Sequence, residues 1–195
     1  LVRLGVKDPN DSAILDTLSE YDGVLKQTIA GRGPAWFRYD FDGYGEKNDG
    51  SNFDGSNNGT TKGRLWPIFT AERGQYEIAK AGNVGSAGAS YLTALRAFST
   101  PEGFVPEQVW NNTASINGWQ TTLPPGYTAG TATKSMAPLS WAMGEYINLT
   151  AAIANLLGFT DALEEGGTAL RYPEPHQAHP VGTAAQSSKL LATTE

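Results

Sequence analysis

A chain of 195 residues with 39% hydrophobic content suits one packed domain or part of a larger one, and is too apolar for a disordered tail. A formal net charge of -6, 17% charged residues and no basic block exclude nucleic acid and anionic membrane as partners, and no apolar run is long enough to span a bilayer. Zero Cys excludes disulfides and thiolate metal sites, while 23 Gly, 11 Pro and five Trp point to long ordered loops carrying aromatics, a composition compatible with a sugar site.

The chain opens on Leu1, Val2, Arg3 and Leu4, which reads as the middle of a longer protein. No secretory signal pattern is visible, and a truncated start would hide one. Helical spacing of Ile14, Leu15, Leu18, Tyr21, Val24 and Leu25 predicts a first helix over 10–26, capped by Asp8 or Asn10, with Gly31 to Gly33 ending the region. A polar, Gly-rich loop follows from 31 to 63, and its close-set Trp36, Phe37, Tyr39, Phe41 and Tyr44 argue that it is ordered. A second helix is predicted over 67–81, with Pro67 in its first turn, Gly82 as a stop and Gly74 as a weak point. A third covers 86–99 and ends at Pro101 and Gly103. An irregular stretch over 104–133 carries Pro106, Pro124 and Pro125. A fourth helix over 135–157 has a broad apolar stripe from Leu139 to Leu157, with Gly158 at its end. Residues 172–195 are rich in Pro, His, Ser and Thr and read as a flexible tail to a domain over 1–171. The expected class is all-α, four helices with large loops and little strand.

Three segments hold residues that could do chemistry. Phe-Val-Pro-Glu-Gln-Val-Trp at 104–110 places Glu107 on a Pro-stiffened bend, with Trp110 available to exclude solvent. A carboxylate that activates water must be rigid and reach a cavity. Read locally, a loop Glu after Pro is more often a surface carboxylate or a helix cap. The run 36–46 alternates aromatic and charged residues. Rings there can stack on pyranose faces while Arg38 and Asp42 hydrogen-bond hydroxyls, or Arg38 and Asp42 simply pair and pin the loop. In 63–77, Trp66 precedes Pro67 at a loop-to-helix junction, and Glu72, Arg73 and Glu77 are spaced for structural ion pairing.

Together with Thr-Lys-Ser-Met-Ala-Pro-Leu-Ser-Trp at 133–141, these segments resemble glycoside hydrolase family 15, the glucoamylase and glucodextranase family, in its bacterial-type branch. The resemblance is ordered and runs over roughly 1–157. It implies an (α/α)6 toroid of six helical hairpins, of which four helices are about a third. It also implies inverting hydrolysis of α-glucosidic bonds from non-reducing ends, with α-glucan or malto- and isomalto-oligosaccharides as substrate and no cofactor. The family's general base matches Glu107 in Pro106-Glu107-Gln108. Its sugar-binding motif matches Arg38, Tyr39, Asp42 and Tyr44, and its pocket-wall Trp residues resemble Trp66 and Trp141, the latter equally readable as core. Gln108 and Trp110 complete the implied substrate-binding set.

An inverting glycosidase needs a protonated carboxyl and an ionised one, roughly 6.5–9.5 Å apart. The family's general acid lies in a Trp-Glu-Glu context that this chain lacks. Glu164 and Glu165 follow Leu163, downstream of the base, and do not match. The chain is therefore expected to be the C-terminal portion of a catalytic domain, inactive alone, marginally stable or self-associating through uncovered helix faces. A trehalase-type hydrolase and a non-catalytic carbohydrate-binding or regulatory relative are the alternatives.

Other signals read as structural. Asp40, Asp42, Glu46, Asp49 and Asp54 crowd one loop, but Tyr44 breaks the EF-hand spacing, so no metal site is expected. His176 and His179 lie between Pro175 and Pro180 with no third ligand. Asn10, Asn58, Asn111 and Asn148 each begin a glycosylation sequon, with the loop positions 58 and 111 the accessible candidates if the protein is secreted or extracytoplasmic, as the family commonly is.

Overall fold

The computed structural model describes residues 1–56 and 59–156. The tail at 172–195, the boundary at 171, Glu164, Glu165, His176, His179, Asn58 and the helix end at Leu157 lie outside the described residues.

Four α-helices carry the architecture: α1 (Ser12–Leu25), α2 (Pro67–Lys80), α3 (Ala89–Phe98) and α4 (Ser140–Leu156). Two small antiparallel hairpins join them, β1 (Lys26–Ile29) with β2 (Gly33–Trp36), and β3 (Ala114–Ile116) with β4 (Trp119–Thr121). The four predicted helices are all present, with edges that moved for physical reasons. The cap of α1 is Asp11, whose Oδ1 accepts from Ala13 N at 2.9 Å, while Asp8 instead accepts from Asn10 N in the turn before it. The chain turns extended at Lys26 and enters β1 directly. A 3-10 turn, Gly85–Gly88, takes the stretch where α3 was expected to begin. α4 starts at Ser140 rather than 135, because the chain before it pairs with the 105–110 segment: Glu107 N donates to Met136 O at 2.8 Å and Leu139 N to Val105 O at 3.0 Å.

Both hairpins were missed in the sequence. Strands of three or four residues offer too few alternations for a period to emerge. The β3–β4 turn did carry a signal: Asn117 and Gly118, at φ 49° and 85°, form the two-residue connection that Asn-Gly favours.

The core has two lobes that meet along α2. One gathers Leu25, Ile29, Trp36, Phe37, Leu65, Phe98 and Trp119, the other Trp66, Ile68, Ile78, Leu95, Leu149 and Ile153. α2 packs on α3, α4 and β2. Its charges are structural, though not paired only within the helix: Arg73 bonds Asp22 of α1 and lies over Trp36, and Glu72 meets Arg3 at 3.2 Å. The apolar stripe of α1 is poorly covered; of its six residues only Leu25 is buried. Leu1, Leu4 and Val6 nearby are each more than 60% exposed.

Gly74 explains itself in three dimensions. A Cβ there would sit 2.8 Å from Leu149 Cδ1 and 2.9 Å from Tyr91 Cβ, so α4 and α3 approach α2 only because that side chain is missing. Gly74→Ala should therefore lower stability by about 1–3 kcal/mol through overpacking, against the gain of about 1 kcal/mol that helix propensity alone would give. Urea unfolding of the two proteins measures the sign.

Candidate active site

Four extended segments lie side by side beneath the site. Trp66 N donates to Trp36 O at 2.8 Å, and Leu65 and Val109 exchange backbone bonds at 3.2 and 2.8 Å. A further bridge joins Val109 to Ala132, and Thr133 N donates to Gln108 O at 3.0 Å. Segments far apart in sequence become neighbours, and the side chains that follow or precede these bridges converge.

Arg38 is at the centre of that convergence. Its Nε and Nη2 donate to the two oxygens of Asp42, both at 2.8 Å, and Asp42 is buried. The Asp42 carboxylate holds the guanidinium above its ordinary pKa. The pairing that pins the loop is thus present, and it leaves Nη1 of Arg38 without a protein partner among the described residues. Asp42 also accepts from Tyr44 N, and Gly63 lies so close that a Cβ would strike the Asp42 carboxyl. The guanidinium lies over the rings of Trp66, Tyr44 and Tyr39 at 4.6, 5.1 and 5.2 Å. Trp66 is 5% exposed, so it supports Arg38 from below, whereas Tyr39 is half exposed at the rim.

Tyr44 links this cluster to Glu107. Its ring centroid is 6.2 Å from that of Trp66, and its hydroxyl donates to Glu107 Oε1 at 3.4 Å. Glu107 and Tyr44 line one cavity of about 400 Å³, together with Glu46, Phe53, Lys134 and Met136. Burial raises the Glu107 pKa above its ordinary value; Gln108, Tyr44 and the Arg38 charge pull it back, and the Glu46 charge pushes it further up.

The remaining candidates divide by depth. Gln108 is fully buried and works as a clamp: its Oε1 accepts from Arg64 N at 2.6 Å and its Nε2 donates to Tyr44 O at 3.0 Å. Trp110 is fully buried behind the cavity, between Tyr127 at 4.4 Å and Arg64 at 4.8 Å, and does not line it. Trp141 sits in the first turn of α4, 58% exposed, neither core nor part of this cavity wall, which Met136 and Leu139 supply instead.

Sequence reasoning missed Arg64. Its buried guanidinium donates to Asn111 Oδ1, Thr121 Oγ1 and the carbonyls of Thr122, Glu46 and Lys47, lashing the site loop to the β3–β4 region. Desolvation pushes its pKa down to about 10, so it stays charged at neutral pH. The crowded acidic loop resolves into separate partners: Asp40 with Asn117, Asp42 with Arg38, Glu46 with Lys134 N, Asp54 with Lys47. The sequon at Asn111 is corrected by burial, since that amide is fully enclosed and bonded to Arg64 and Asn112.

No protein-family model matches the chain. A glucoamylase of Clostridium sp. (strain G0005) is 41% identical over 149 residues, which is 76% of this chain. A crystal structure of a bacterial glucoamylase complexed with acarbose superposes on 80% of the chain with a TM-score of 0.61 and 38% identity. The chain belongs to the glucoamylase family, glycoside hydrolase family 15. Its four helices are a partial helical toroid, and it spans 18% and 19% of the lengths of those two relatives. Loops and the chain entering α2 hold the candidate residues, apart from Trp141 in α4.

Two outcomes follow from the site's electrostatics. Folding raises the Glu107 pKa, so the fold favours the protonated carboxyl, and that contribution is lost as pH rises through the folded value. Glu107→Gln should make the chain more resistant to urea at pH 7, with the advantage vanishing below the ordinary Glu value of 4.5. Arg64→Met strands five acceptors and should cost at least about 3 kcal/mol in the same assay.

Proposed function

We propose that this chain carries the general-base side of an inverting, exo-acting α-glucan hydrolase of the glucoamylase or glucodextranase type, releasing β-glucose from non-reducing ends. One observation supports this above the others: Tyr44 contacts both the Arg38–Asp42–Trp66 cluster and Glu107, and with Glu107 it lines an open cavity whose wall does not include Arg38, Asp42 or Trp66. In this reading Glu107 removes a proton from a water that attacks the anomeric carbon from the face opposite the leaving oxygen. Its raised basicity strengthens that abstraction. The Tyr44 hydroxyl fixes the carboxylate's direction. Arg38, with two nitrogens committed to Asp42, offers its third to a sugar hydroxyl.

The general acid is proposed to come from outside this chain. Glu46, the other carboxylate at the cavity, is 2% exposed with one oxygen fixed on Lys134 N, and so cannot reach a leaving group. The chain is accordingly read as part of a catalytic domain whose remaining helices complete both the toroid and the acid.

Two measurements on the purified 195-residue chain test the reading. Incubation with soluble α-glucan should release no detectable glucose; release would overturn the missing acid. Addition of acarbose or maltose should shift NMR signals of Arg38, Tyr44 and Glu107, and Arg38→Lys should remove most of that response. Signals that stay still at all three residues would sink the sugar site itself.

A further inference from the structure

Phe41 has a backbone conformation that aromatic residues avoid. Its φ is 55°, in the left-handed region, where a bulky side chain crowds its own main chain and glycine is the usual occupant. The ring gains no packing in return. It is 63% exposed and, among the described residues, enters neither core cluster and no aromatic pair. Both neighbours in sequence enforce the conformation. Asp40 accepts from Asn117 Nδ2 at 2.9 Å, which ties the loop to the β3–β4 turn. Asp42 holds two nitrogens of Arg38, and its carbonyl accepts from Gly63 N at 2.6 Å. Strain of this kind persists only where the surroundings over-determine it, and it gathers at ligand sites.

The exposed ring borders a cavity of about 710 Å³ that shares no lining residue with the one at Glu107. The 41–49 segment contributes to both, Tyr44 and Glu46 to one, Phe41 and Asn48 to the other. Trp119 also lines the second cavity, and Lys62 Nζ lies 5.7 Å from its ring centroid. Among the described residues Lys62 has no carboxylate partner, whereas Lys47 pairs with Asp54. The wall is thus left with one cation, Lys62, and one carboxylate, Asp49. Asn48 Oδ1 accepts from Thr122 N, and its Nδ2 has no acceptor among the described residues; the exposed Gln120 amide is equally uncommitted. A solvent-facing ring bordered by free donors and balanced charge suits an uncharged, hydroxyl-rich ligand and gives an anion no preference.

We propose that this cavity is a second sugar-binding site, in which the Phe41 ring stacks on a glucosyl unit of an α-glucan chain while Lys62, Asn48 and Gln120 donate to its hydroxyls. The strained backbone is the cost of presenting that ring to solvent instead of folding it inward. A polymer held here stays beside the protein between encounters of its ends with the Glu107 cavity, which raises their effective concentration there. The choice of α-glucan among neutral saccharides rests on the hydrolase reading of this chain; the site itself rests on Phe41 and its surroundings.

The test is an NMR titration of the 195-residue chain with β-cyclodextrin, a closed α-glucan with no non-reducing end to offer an exo-acting cavity. Signals of Phe41, Trp119 and Gln120 should move while those of Glu107 stay still. Phe41→Ala should weaken binding about tenfold, and Phe41→Trp should retain it. Phe41→Gly separates binding from folding: it relieves the left-handed strain, so its urea midpoint should equal or exceed the native one while binding is lost. A lower midpoint would give the ring a packing role and overturn the proposal, as would binding that survives without the ring. Binding abolished by high salt would mark an anion site and overturn it equally. If β-cyclodextrin leaves Phe41 unmoved while acarbose moves Glu107, the second site falls and the general-base reading stands. The reverse pattern removes that reading and keeps the site.

Discussion

A single desolvated guanidinium sets the terms for everything near the cavity. Arg64 lies wholly inside, on the face of Trp110; its two terminal nitrogens donate to five acceptors drawn from the 46–47 loop and the 111–122 region, while Nε has no hydrogen-bond partner. A buried cation survives only when it is surrounded this thoroughly. The 46–47 loop in turn has no regular secondary structure to stiffen it, and its polar groups need internal partners. Each solves the other's problem. The backbone of 46–47 and that of 122 are carbonyl-presenting because Arg64 is there, and Glu46 is held at the cavity as a result.

Charge and burial then act in sequence along one path. Asp42 neutralises Arg38 and orients it; Arg38 sits on Trp66 and beside Tyr44; Tyr44 directs its phenol at Glu107. Desolvation of Tyr44, with the Glu107 charge beside it, raises the phenol's pKa, so it remains a donor. The carboxylate that results is aimed and more basic than usual, which is the state a general base requires. The clamp at Gln108 ties this path to the scaffold through main-chain partners on either side.

Much of this was legible in the sequence, and the part that was not has a physical pattern. Helices α1 to α4 were visible because periodic apolar residues over many turns leave a strong imprint. The pairing of Arg38 with Asp42 was one of two readings open from the local sequence of that loop, and it is the contact present. Trp110 and Trp141 could not be assigned a depth, since a loop or a helix end gives no period from which to infer facing. Arg64 and Glu46 were passed over for another reason. Arg64 drew no reading and Glu46 was taken as one more acid in a crowded loop, and only the closing of 44–48 onto 62–66 and 133–136 reveals that both are inside. Asn117-Gly118 was legible in principle and simply was not used.

The lacing of 36, 65–66, 108–109 and 132–133 is made of peptide groups alone. Such a lattice is indifferent to which side chains it displays. Residues at the rim, Tyr39, Phe53 and Met136 among them, can therefore drift under selection without disturbing the placement of Glu107. Sequence change at the rim and constancy of the Glu107 backbone position are therefore separable properties of this fold.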